Sequence, residues 1–315
     1  MTEIRSVLVT GGCGFVGANL VRLLRLHTEL SIRVVDNLQA GRRSYLNSDM
    51  AEVLVGDIAR DAVLQVALEG VDAVVHLASR TGVAPSVEDP IQDFYGNPLP
   101  TIRVLEACRT RGVNRVVFAS SGAALGDATP PLHEEIVARP LSPYGAGKLT
   151  GEAYCSAYSR SFGMNAVSLR FSNVYGPYSQ HKSWNAVPNF IKSSLQKQEI
   201  EIFGDGSQTR DFVHVDDICA AIRQCLTTDG IAGETFQLGT GVETSIRELA
   251  RIVQETTGES TDIRFRDRRP GEVYKSHVDI SKARQVLDFA PHFDIRQGVA
   301  KTTDWYRENW LPATE

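Results

Sequence analysis

The sequence predicts an α/β fold in which a doubly wound parallel sheet is followed by a smaller C-terminal α/β domain. Three observations favour this class. Short β-branched apolar runs alternate with segments of helical spacing through the first half of the chain, as in a sheet with helices on both faces. A glycine-rich turn directly follows the first apolar run. After residue 170 the alternation is lost, and glycine- and proline-containing turns separate shorter elements.

The strands and helices follow from these local patterns. Strands are expected at 6–10, 32–35, 52–55, 73–77, 115–119 and 166–169, and helices at 16–26, 62–68, 102–109 and 147–161. Pro98 and Pro100 should delay or kink the start of the third of these helices, because proline lacks the helical N–H. In the second half, helices are expected at 216–226, 245–256 and 296–310, with a strand at 235–238.

The composition is that of a globular protein with an ordinary hydrophobic core. The chain has 315 residues, of which 42% are hydrophobic and 23% are charged, a size that corresponds to one large or two ordinary domains. The 33 basic and 38 acidic residues give a net charge of −5. Because like charges form no block, binding to nucleic acid or to an acidic membrane has no electrostatic support.

The five cysteines form no C-x-x-C pair and no Cys/His cluster with zinc spacing, so no metal site is predicted. Their odd number leaves at least one thiol free, which suits a reducing compartment. The N-terminus enters a strand-like segment without the pattern of a signal peptide, and no run of about 18 apolar residues occurs. We therefore expect a cytoplasmic protein.

The glycine-rich turn has the spacing of a dinucleotide site. Gly11 permits the tight turn, Gly14 lets the backbone approach a pyrophosphate, and Gly17 lets helix and strand pack closely. The helix N-terminus that follows would face the phosphates. Asp36 ends the second strand 19 residues after Gly17, where its carboxylate would accept both ribose hydroxyls and repel a 2′-phosphate. The pattern predicts NAD rather than NADP, the alternative being an ordinary turn and a solvated aspartate.

Further residues at the ends of the third and fourth strands are candidates for the same cofactor. Asp57 would meet the adenine amino group or, equally well, cap the following helix. Leu77 and Ala78 end the fourth strand and would lie against the ribose. His76 beside them is better interpreted as a hydrogen-bonded core histidine than as a catalytic one.

Two Tyr-x-x-x-Lys pairs occur, Tyr144/Lys148 and Tyr178/Lys182. The second pair follows a Gly-Pro turn, where this spacing does not bring side chains together. Tyr144 opens a helix-like segment, so Lys148 would lie on the same face one turn along. Ser121 ends the predicted fifth strand 23 residues earlier, at the carboxyl edge where α/β sheets bind ligands. The alternative is that Tyr144 and Lys148 merely begin an amphipathic helix.

These three side chains suit proton transfer at a hydroxyl that also loses hydride. A phenol with a pKa of about 10 is a poor base at neutral pH. Lys148, together with a positive nicotinamide ring, would favour the phenolate and lower the pKa of Tyr144. Ser121 would hydrogen-bond the reacting oxygen.

These motifs occur in order with several others, and together they resemble the extended short-chain dehydrogenase/reductase family and, within it, the nucleotide-sugar 4-epimerases. The motifs are Thr10-Gly11-x-x-Gly14-x-x-Gly17, Asp36-Asn37-Leu38, Gly56-Asp57, Ser120-Ser121, Tyr144-x-x-x-Lys148, Leu169-Arg170-Phe171-Ser172-Asn173-Val174-Tyr175-Gly176-Pro177, Gln208-Thr209-Arg210-Asp211-Phe212 and Arg269-Pro270-Gly271-Glu272. The resemblance covers essentially the whole chain. It implies a Rossmann-type fold, a tightly held NAD, a UDP-sugar in an interdomain cleft and a homodimer.

The resemblance also implies which residues serve each site. Residues 1–170, with about 212–240, would form the NAD-binding domain, and residues 171–211 and 241–315 the nucleotide-sugar domain. The cofactor residues would be Gly11, Gly14, Phe15, Val16, Gly17, Asp36, Asn37, Asp57, Ile58, Leu77, Ala78, Asn97, Tyr144 and Lys148. The substrate residues would be Ser121, Asn173, Asn185, Val187, Phe203, Arg210, Arg269, Glu272 and Ser276.

Each implied substrate contact has a chemical reason. Arg210 and Arg269 suit the charge and the several acceptors of a diphosphate. Phe203 would pack on the uracil, and Glu272 would hold the uridine ribose. Ser276 would lie beside C2 of the sugar, where a small side chain admits an N-acetyl group.

Departures from the family pattern reduce the number of reactions that are expected. Gly122 and Ala123 stand where the related 4,6-dehydratases carry an Asp-Glu pair, so elimination is not expected. Ala123 also lacks a hydroxyl that relatives place there. We therefore expect NAD-dependent 4-epimerisation of UDP-glucose/UDP-galactose and of their N-acetylamino counterparts. The alternatives are a 4-ketosugar reductase, a UDP-glucuronate epimerase and a non-catalytic NAD-binding protein.

Overall fold

The computed structural model describes residues 3–27, 29–180, 185–268 and 274–310. Within these ranges the strands are β1 (Ser6–Thr10), β2 (Ser31–Asp36), β3 (Glu52–Val55), β4 (Ala73–His76), β5 (Arg115–Ser121), β6 (Asn165–Phe171), β7 (Asn173–Tyr175), β8 (Ile200–Phe203), β9 (Thr209–Arg210), β10 (Phe212–His214), β11 (Thr235–Leu238), β12 (Thr244–Ser245) and β13 (Ile263–Arg266).

The α-helices of the described ranges are α1 (Phe15–His27), α2 (Asp61–Ala67), α3 (Val83–Glu88), α4 (Pro90–Gly96), α5 (Pro98–Arg111), α6 (Pro143–Phe162), α7 (Ala186–Leu195), α8 (Val215–Thr227), α9 (Ile246–Thr257), α10 (Ser281–Leu287) and α11 (Ile295–Asn309). No helix of the described residues is both long and apolar enough to cross a bilayer.

Seven of the strands form one parallel sheet in the order β11-β6-β5-β4-β1-β2-β3. The chain builds outward from β1 through β2 to β3 and then returns to the other side of β1 with β4. The order therefore reverses between β1 and β4, and the carboxyl ends of these strands flank the crevice where open α/β sheets bind ligands. This arrangement confirms the predicted doubly wound parallel sheet.

The sheet is buried on both faces because its apolar side chains alternate between two cores. Val7 and Val9 of β1 pack with α1 and α8, whereas Leu8 between them packs with α2, α5 and α6 on the opposite face. Burial of both faces explains why these strands are continuous apolar runs in the sequence.

A third apolar cluster lies beyond the sheet and is built from β8, α7, α9 and α11. All of its buried members except Phe212 lie within residues 171–211 and 241–315. Helix α10, in the same part of the chain, instead packs into the first core through Ala283 and Leu287. The C-terminal part of the chain therefore contributes to two cores: α9 and α11 build the third cluster, and α10 packs into the first core of the sheet.

The two prolines do not delay α5, and in this respect the prediction was wrong. The helix begins at Pro98, and both Pro98 and Pro100 lie in its first turn, where the backbone N–H groups have no intrahelical acceptor to lose. The kink falls one residue earlier, at Asn97, whose φ of −131° and ψ of −77° separate α4 from α5.

Candidate active site

The turn between β1 and α1 packs tightly against its own backbone at Gly11 and Gly17 and is open at Gly14. Gly11 has φ of +69°, and a Cβ there would lie 2.8 Å from the backbone of Ala78. A Cβ on Gly17 would lie 2.4 Å from the carbonyl oxygen of Gly11. At Gly14 the only described atom within 4 Å of a Cβ, apart from its chain neighbours, is that same carbonyl oxygen. The outer side of the turn is therefore open, and it faces the N-terminus of α1.

Asp36 ends β2 beside this turn and is almost fully buried. Its Oδ2 accepts a hydrogen bond from the N–H of Cys13 at 3.0 Å, and its Oδ1 accepts one from the N–H of Leu38 at 2.8 Å. Burial raises the pKa of this carboxyl above its ordinary value. Each oxygen can accept a further hydrogen bond, so Asp36 fits the role of a ribose acceptor while it also shapes the turn.

The other candidate cofactor residues surround the same crevice. Leu77 and Ala78 follow β4, and their N–H groups donate to the carbonyl and the hydroxyl of Thr10. Asp57 does not cap α2, which begins at Asp61 after Arg60; its Oδ1 accepts from the N–H of Ala59 in the turn before the helix. Phe15 and Ile58 are buried, and Val16, Asn37 and Asp57 lie at the rim.

His76 is a core histidine, as the sequence indicates. One ring nitrogen hydrogen-bonds the Thr10 hydroxyl at 2.8 Å and the other the Thr101 hydroxyl at 3.1 Å. Burial lowers the pKa of His76 to about 3, so the ring is neutral at physiological pH. A neutral ring with both nitrogens engaged by hydroxyls has no group left for proton transfer.

Ser121, Tyr144 and Lys148 meet at the carboxyl end of β5. Ser121 is the last residue of that strand, and its hydroxyl hydrogen-bonds the phenol of Tyr144. Tyr144 and Lys148 lie one turn apart at the start of α6, which Ser142 caps by accepting from the N–H of Gly145. Lys148 is buried, and its Nζ donates to the carbonyl oxygen of Ala119 at 2.8 Å. Helix and strand thus hold the three groups together.

The pKa of Tyr144 departs from the expected direction. Burial raises it to about 12, the hydrogen bond from Ser121 lowers it, and the nearby carboxylate of Asp93 raises it. Burial of the phenol, the largest of these effects, is opposite in direction to the lowering expected from Lys148. The phenol is therefore fully protonated at neutral pH.

Asn97 lies at the kink between α4 and α5 and is buried within a hydrogen-bond network. Its Nδ2 donates to the carbonyl oxygen of Arg80 at 2.9 Å and to Oδ1 of Asp93 at 2.8 Å, and its Oδ1 accepts from the hydroxyl of Ser79. Both hydrogens of the Asn97 amide group therefore take part in hydrogen bonds within the protein. The side chain of Asn97 organises the crevice wall and offers a cofactor no free donor in this arrangement.

Two buried acidic residues near Ser121, Tyr144 and Lys148, namely Asp93 and Glu152, were not identified from the sequence. Asp93 lies one turn before Asn97, and burial raises the pKa of its carboxyl. Glu152 follows Lys148 by one turn of α6 and forms a two-pronged pair with Arg170 of β6, at 2.8 and 2.7 Å. Glu152 also accepts from Ser120, the residue before Ser121. The four-residue spacing of Tyr144, Lys148 and Glu152 was the available signal, since it places them on one helix face.

A cavity of about 810 Å³ opens between β7, α7, β8 and β9. It brings together five of the substrate residues implied by the resemblance: Asn173, Asn185, Val187, Phe203 and Arg210. One wall of the cavity lies near Ser121. Ser121 pairs with Phe171 across β5 and β6, and Asn173, which lines the cavity, follows Phe171 by two residues. Its volume is in the range of small-molecule sites.

Three other implied residues are not placed in this cavity. Ser276 is half-buried, in an irregular segment two residues before Val278, and does not line it. Arg269 and Glu272 lie outside the described residues, as does Lys182 of the second Tyr-x-x-x-Lys pair. Among the described residues, no group of three or more His, Cys, Asp or Glu side chains is arranged to hold a metal ion.

Comparison with known proteins connects this geometry to a family. The family model described as the NAD dependent epimerase/dehydratase family matches residues 7–239. The UDP-glucose 4-epimerase of Mycolicibacterium smegmatis is 37% identical over an alignment of 309 residues, and the alignment covers 95% of this chain and 98% of that protein.

Two solved structures share the whole architecture. The UDP-N-acetylglucosamine 4-epimerase of Methanobrevibacter ruminantium, in complex with UDP-N-acetylmuramic acid, has a TM-score of 0.91 at 30% identity and covers 98% of this chain and 99% of that one. The UDP-glucose 4-epimerase of Thermus thermophilus in complex with NAD has a TM-score of 0.90 at 32% identity, covering 96% and 99%.

Proposed function

The chain belongs to the NAD-dependent epimerase/dehydratase family, and from this premise we propose that it epimerises UDP-sugars at C4. The family confirms the predicted enzyme class and the predicted cofactor, NAD. The observation that carries the proposal is the meeting of Ser121, Tyr144 and Lys148 between an open glycine turn and a cavity lined by Asn173 and Arg210. We propose that both UDP-glucose/UDP-galactose and UDP-GlcNAc/UDP-GalNAc are substrates.

Tyr144 is the proposed acid and base at the 4-hydroxyl of the sugar. When bound, NAD supplies the acceptor and later the donor of the C4 hydride. Tyr144 takes the hydroxyl proton while the sugar is oxidised and gives it back while the sugar is reduced, so no net proton is consumed. This requires a phenolate in the working complex, and two nearby positive charges, Lys148 and the oxidised nicotinamide, would oppose the burial that raises its pKa.

Lys148 and Ser121 would hold the phenol in place. The Nζ of Lys148 is anchored on the Ala119 carbonyl, so its charge stays 5.7 Å from the Tyr144 ring centre. Ser121 hydrogen-bonds the phenol and would share that bond with the 4-oxygen of the sugar. A fixed donor and a fixed base on either side of one oxygen suit reversible proton transfer.

Inversion requires that the sugar turn while the nucleotide stays bound. We propose that residues 171–211 and 241–315 hold the nucleotide, whereas residues 1–170 and about 212–240 hold NAD. The cavity offers Arg210 for the diphosphate and Phe203 for the uracil. Firm contacts at this end and room at the sugar end would let the oxidised sugar present its other face before hydride returns.

The 3₁₀ turn after Ser121 favours epimerisation over elimination. It consists of Gly122, Ala123 and Ala124, so no carboxyl group is present there to remove a proton from the sugar carbon or to protonate a leaving group. The proposed chemistry needs neither.

A panel of UDP-sugars tests the substrate proposal. The purified protein is incubated with each sugar in turn, and the ratio of C4 epimers is followed by NMR. We expect equilibration of UDP-glucose with UDP-galactose and of UDP-GlcNAc with UDP-GalNAc. Protein denatured beforehand should release NAD in near-stoichiometric amount, since an epimerase regenerates its cofactor in every turnover. No epimer from any UDP-sugar, with release of product only when NADH is added, would identify a reductase instead.

We further propose that a second copy covers the outer face of α3, α4 and α6. Large apolar side chains are exposed there, among them Ile91, Phe94, Tyr95 and Phe162. Phe94 and Tyr95 form one edge-on ring pair, and Phe162 packs edge-on against Tyr158. Exposed apolar side chains on adjacent helices are typical of a subunit interface. Light scattering should give about twice the chain mass, and Phe94→Glu should give the monomer.

We also propose a cytoplasmic location. All five cysteines are free and buried, as suits a reducing compartment. Fractionation of cells that express the chain would test this directly.

A further inference from the structure

Asp211 lies where the two apolar regions of the protein meet. The next residue, Phe212, packs into the cluster built by α7, α9 and α11, and Val213 after it packs into the core of the sheet. Asp211 itself is completely buried, although it is acidic. A buried carboxylate is tolerated only where hydrogen bonds replace those it made to water. The hydrogen-bond donors to Asp211 come from segments of the chain that are far apart in the sequence.

The carboxylate of Asp211 binds two separate segments. Oδ1 accepts from the N–H and the hydroxyl of Thr240, at 2.8 and 2.7 Å. Oδ2 accepts from the N–H of Gly241 at 2.9 Å and from the N–H of Val278 at 3.3 Å. The first segment is the turn that follows the edge strand β11, and the second is the chain that returns toward α10.

The backbone of Asp211 binds a third segment. Its carbonyl oxygen accepts from the N–H of Asn173 at 3.0 Å and from the hydroxyl of Ser172 at 2.7 Å. Asn173 lines the cavity, as do both chain neighbours of Asp211, Arg210 and Phe212. One residue therefore ties three cavity-lining residues to the end of the sheet without lining the cavity itself.

We infer that Asp211 is a positioning residue, which fixes Arg210 and Asn173 for binding of the nucleotide diphosphate; the inference rests on the proposed UDP-sugar function. Asp211 does not touch the substrate. Its replacement by asparagine keeps the size but turns one oxygen into a donor, which then faces two donors of the protein. The turn at 240–241 or the segment at 278 loses its anchor, and Arg210 and Asn173 lose their fixed position.

The test compares Asp211→Asn with Asp217→Asn. Asp217 is also buried and also accepts two backbone N–H groups, those of His292 and Phe293, at 2.8 and 3.4 Å, but neither of these donors lines the cavity. Both variants should melt at lower temperature. The dissociation constant of UDP, measured by calorimetry, and the KM for UDP-glucose should rise about tenfold in Asp211→Asn alone, as expected for lost hydrogen bonds to a charged group. kcat and NAD content should change less than about threefold.

A second variant covers the case in which Asp211→Asn does not fold. Thr240→Val removes one hydroxyl hydrogen bond to the carboxylate and leaves the backbone bond in place, so UDP binding should weaken about threefold. Unchanged UDP affinity in Thr240→Val and Asp211→Asn, or an equal loss in Asp217→Asn, would overturn the positioning role. Failure of the wild-type protein to bind UDP or to epimerise any UDP-sugar would instead overturn the proposed function itself.

Discussion

The Nζ of Lys148 lies 5.7 Å from the ring centre of Tyr144, one helical turn away, and is held there by a 2.8 Å hydrogen bond to the carbonyl of Ala119. The ammonium group is thus fixed beside the phenol. Burial nevertheless keeps the pKa of Tyr144 at about 12. The positive charge of oxidised NAD, when bound, would oppose the effect of burial and favour the phenolate that the proposed reaction requires.

Tyr144→Phe should lower turnover by about 10²–10⁴-fold, because it removes the acid and base and keeps the ring. NAD content and melting temperature should remain close to those of the wild type. Tyr178→Phe is the matched control, since Tyr178 lies in a turn and its ring packs between those of Tyr45 and Trp305. Turnover of Tyr144→Phe within about threefold of the control would contradict the assignment.

Asp36 carries two functions, discrimination between the cofactors and shaping of the turn. Asp36→Asn keeps the shape of the side chain but removes the charge and turns one acceptor oxygen into a donor, so the preference for NAD over NADP should fall about tenfold, as expected for the loss of one close charge repulsion. Asp36→Ala should shift the preference equally. It should also destabilise the chain by about 1–3 kcal/mol, since the N–H groups of Cys13 and Leu38 lose their acceptors. Cofactor affinities and urea denaturation measure the two effects, and a wild type that retains NADP on purification would contradict the cofactor prediction.

The buried pair of Glu152 and Arg170 should be far more costly to break than a surface pair. Both side chains are only 6% exposed, and the two hydrogen bonds between them are 2.8 and 2.7 Å. Glu152→Ala leaves the guanidinium buried without its counter-ion, which costs about 3–5 kcal/mol. Asp304→Ala, which breaks the exposed pair with Arg307, should cost about 0–1 kcal/mol. Equal costs in urea denaturation would show that Arg170 finds another partner.

The sheet could be predicted from the sequence because each of its strands carries its own signal. The runs at 6–10, 52–55 and 235–238 coincide with β1, β3 and β11, and the other predicted strands differ by one or two residues at an end. Burial on both faces makes each strand an apolar run, so no distant contact is needed to recognise it. Helix α4 was missed although Asp89 caps it and Pro90 opens it, which are ordinary start signals.

The candidate site was only partly predictable, because some of its contacts exist only in the folded chain. The glycine turn and the Tyr144/Lys148 spacing are local, and the structure places them as expected. The hydrogen bond between Asn97 and Asp93 depends on the break between α4 and α5 at Asn97. The sequence instead predicts that the two prolines delay or kink the start of α5. The partners of Asp211 lie at Thr240 and Val278, distant in the sequence, and spacing carries no signal for such pairings.

Acidification should destabilise the protein through its buried histidines. Burial lowers the pKa of His76 to about 3 and that of His214 to about 4, both below the ordinary value of about 6.5. Below that value the unfolded chain binds protons that the folded chain does not, so stability is present above pH 6.5 and is lost as the pH falls. Each histidine contributes a slope of up to about 1.4 kcal/mol per pH unit.

The measurement is urea denaturation between about pH 7 and 5.5. The slope should decrease in His76→Asn, which removes a buried ring. Stability independent of pH over this range would show that neither buried histidine is held neutral by the fold.

Ser276 is predicted to set the size of the group accepted at C2 of the sugar. The side chain is small and half-buried, two residues before the N–H of Val278 that Asp211 holds. It lies in an irregular segment and not in a strand. Ser276→Tyr should abolish turnover of UDP-GlcNAc and UDP-GalNAc and spare UDP-glucose and UDP-galactose, because an aromatic ring would fill the space of an N-acetyl group. Ser276→Ala is the control and should turn over both pairs. Equal loss on both pairs in Ser276→Tyr, or a wild type inactive on UDP-GlcNAc, would show that another residue lines this part of the site.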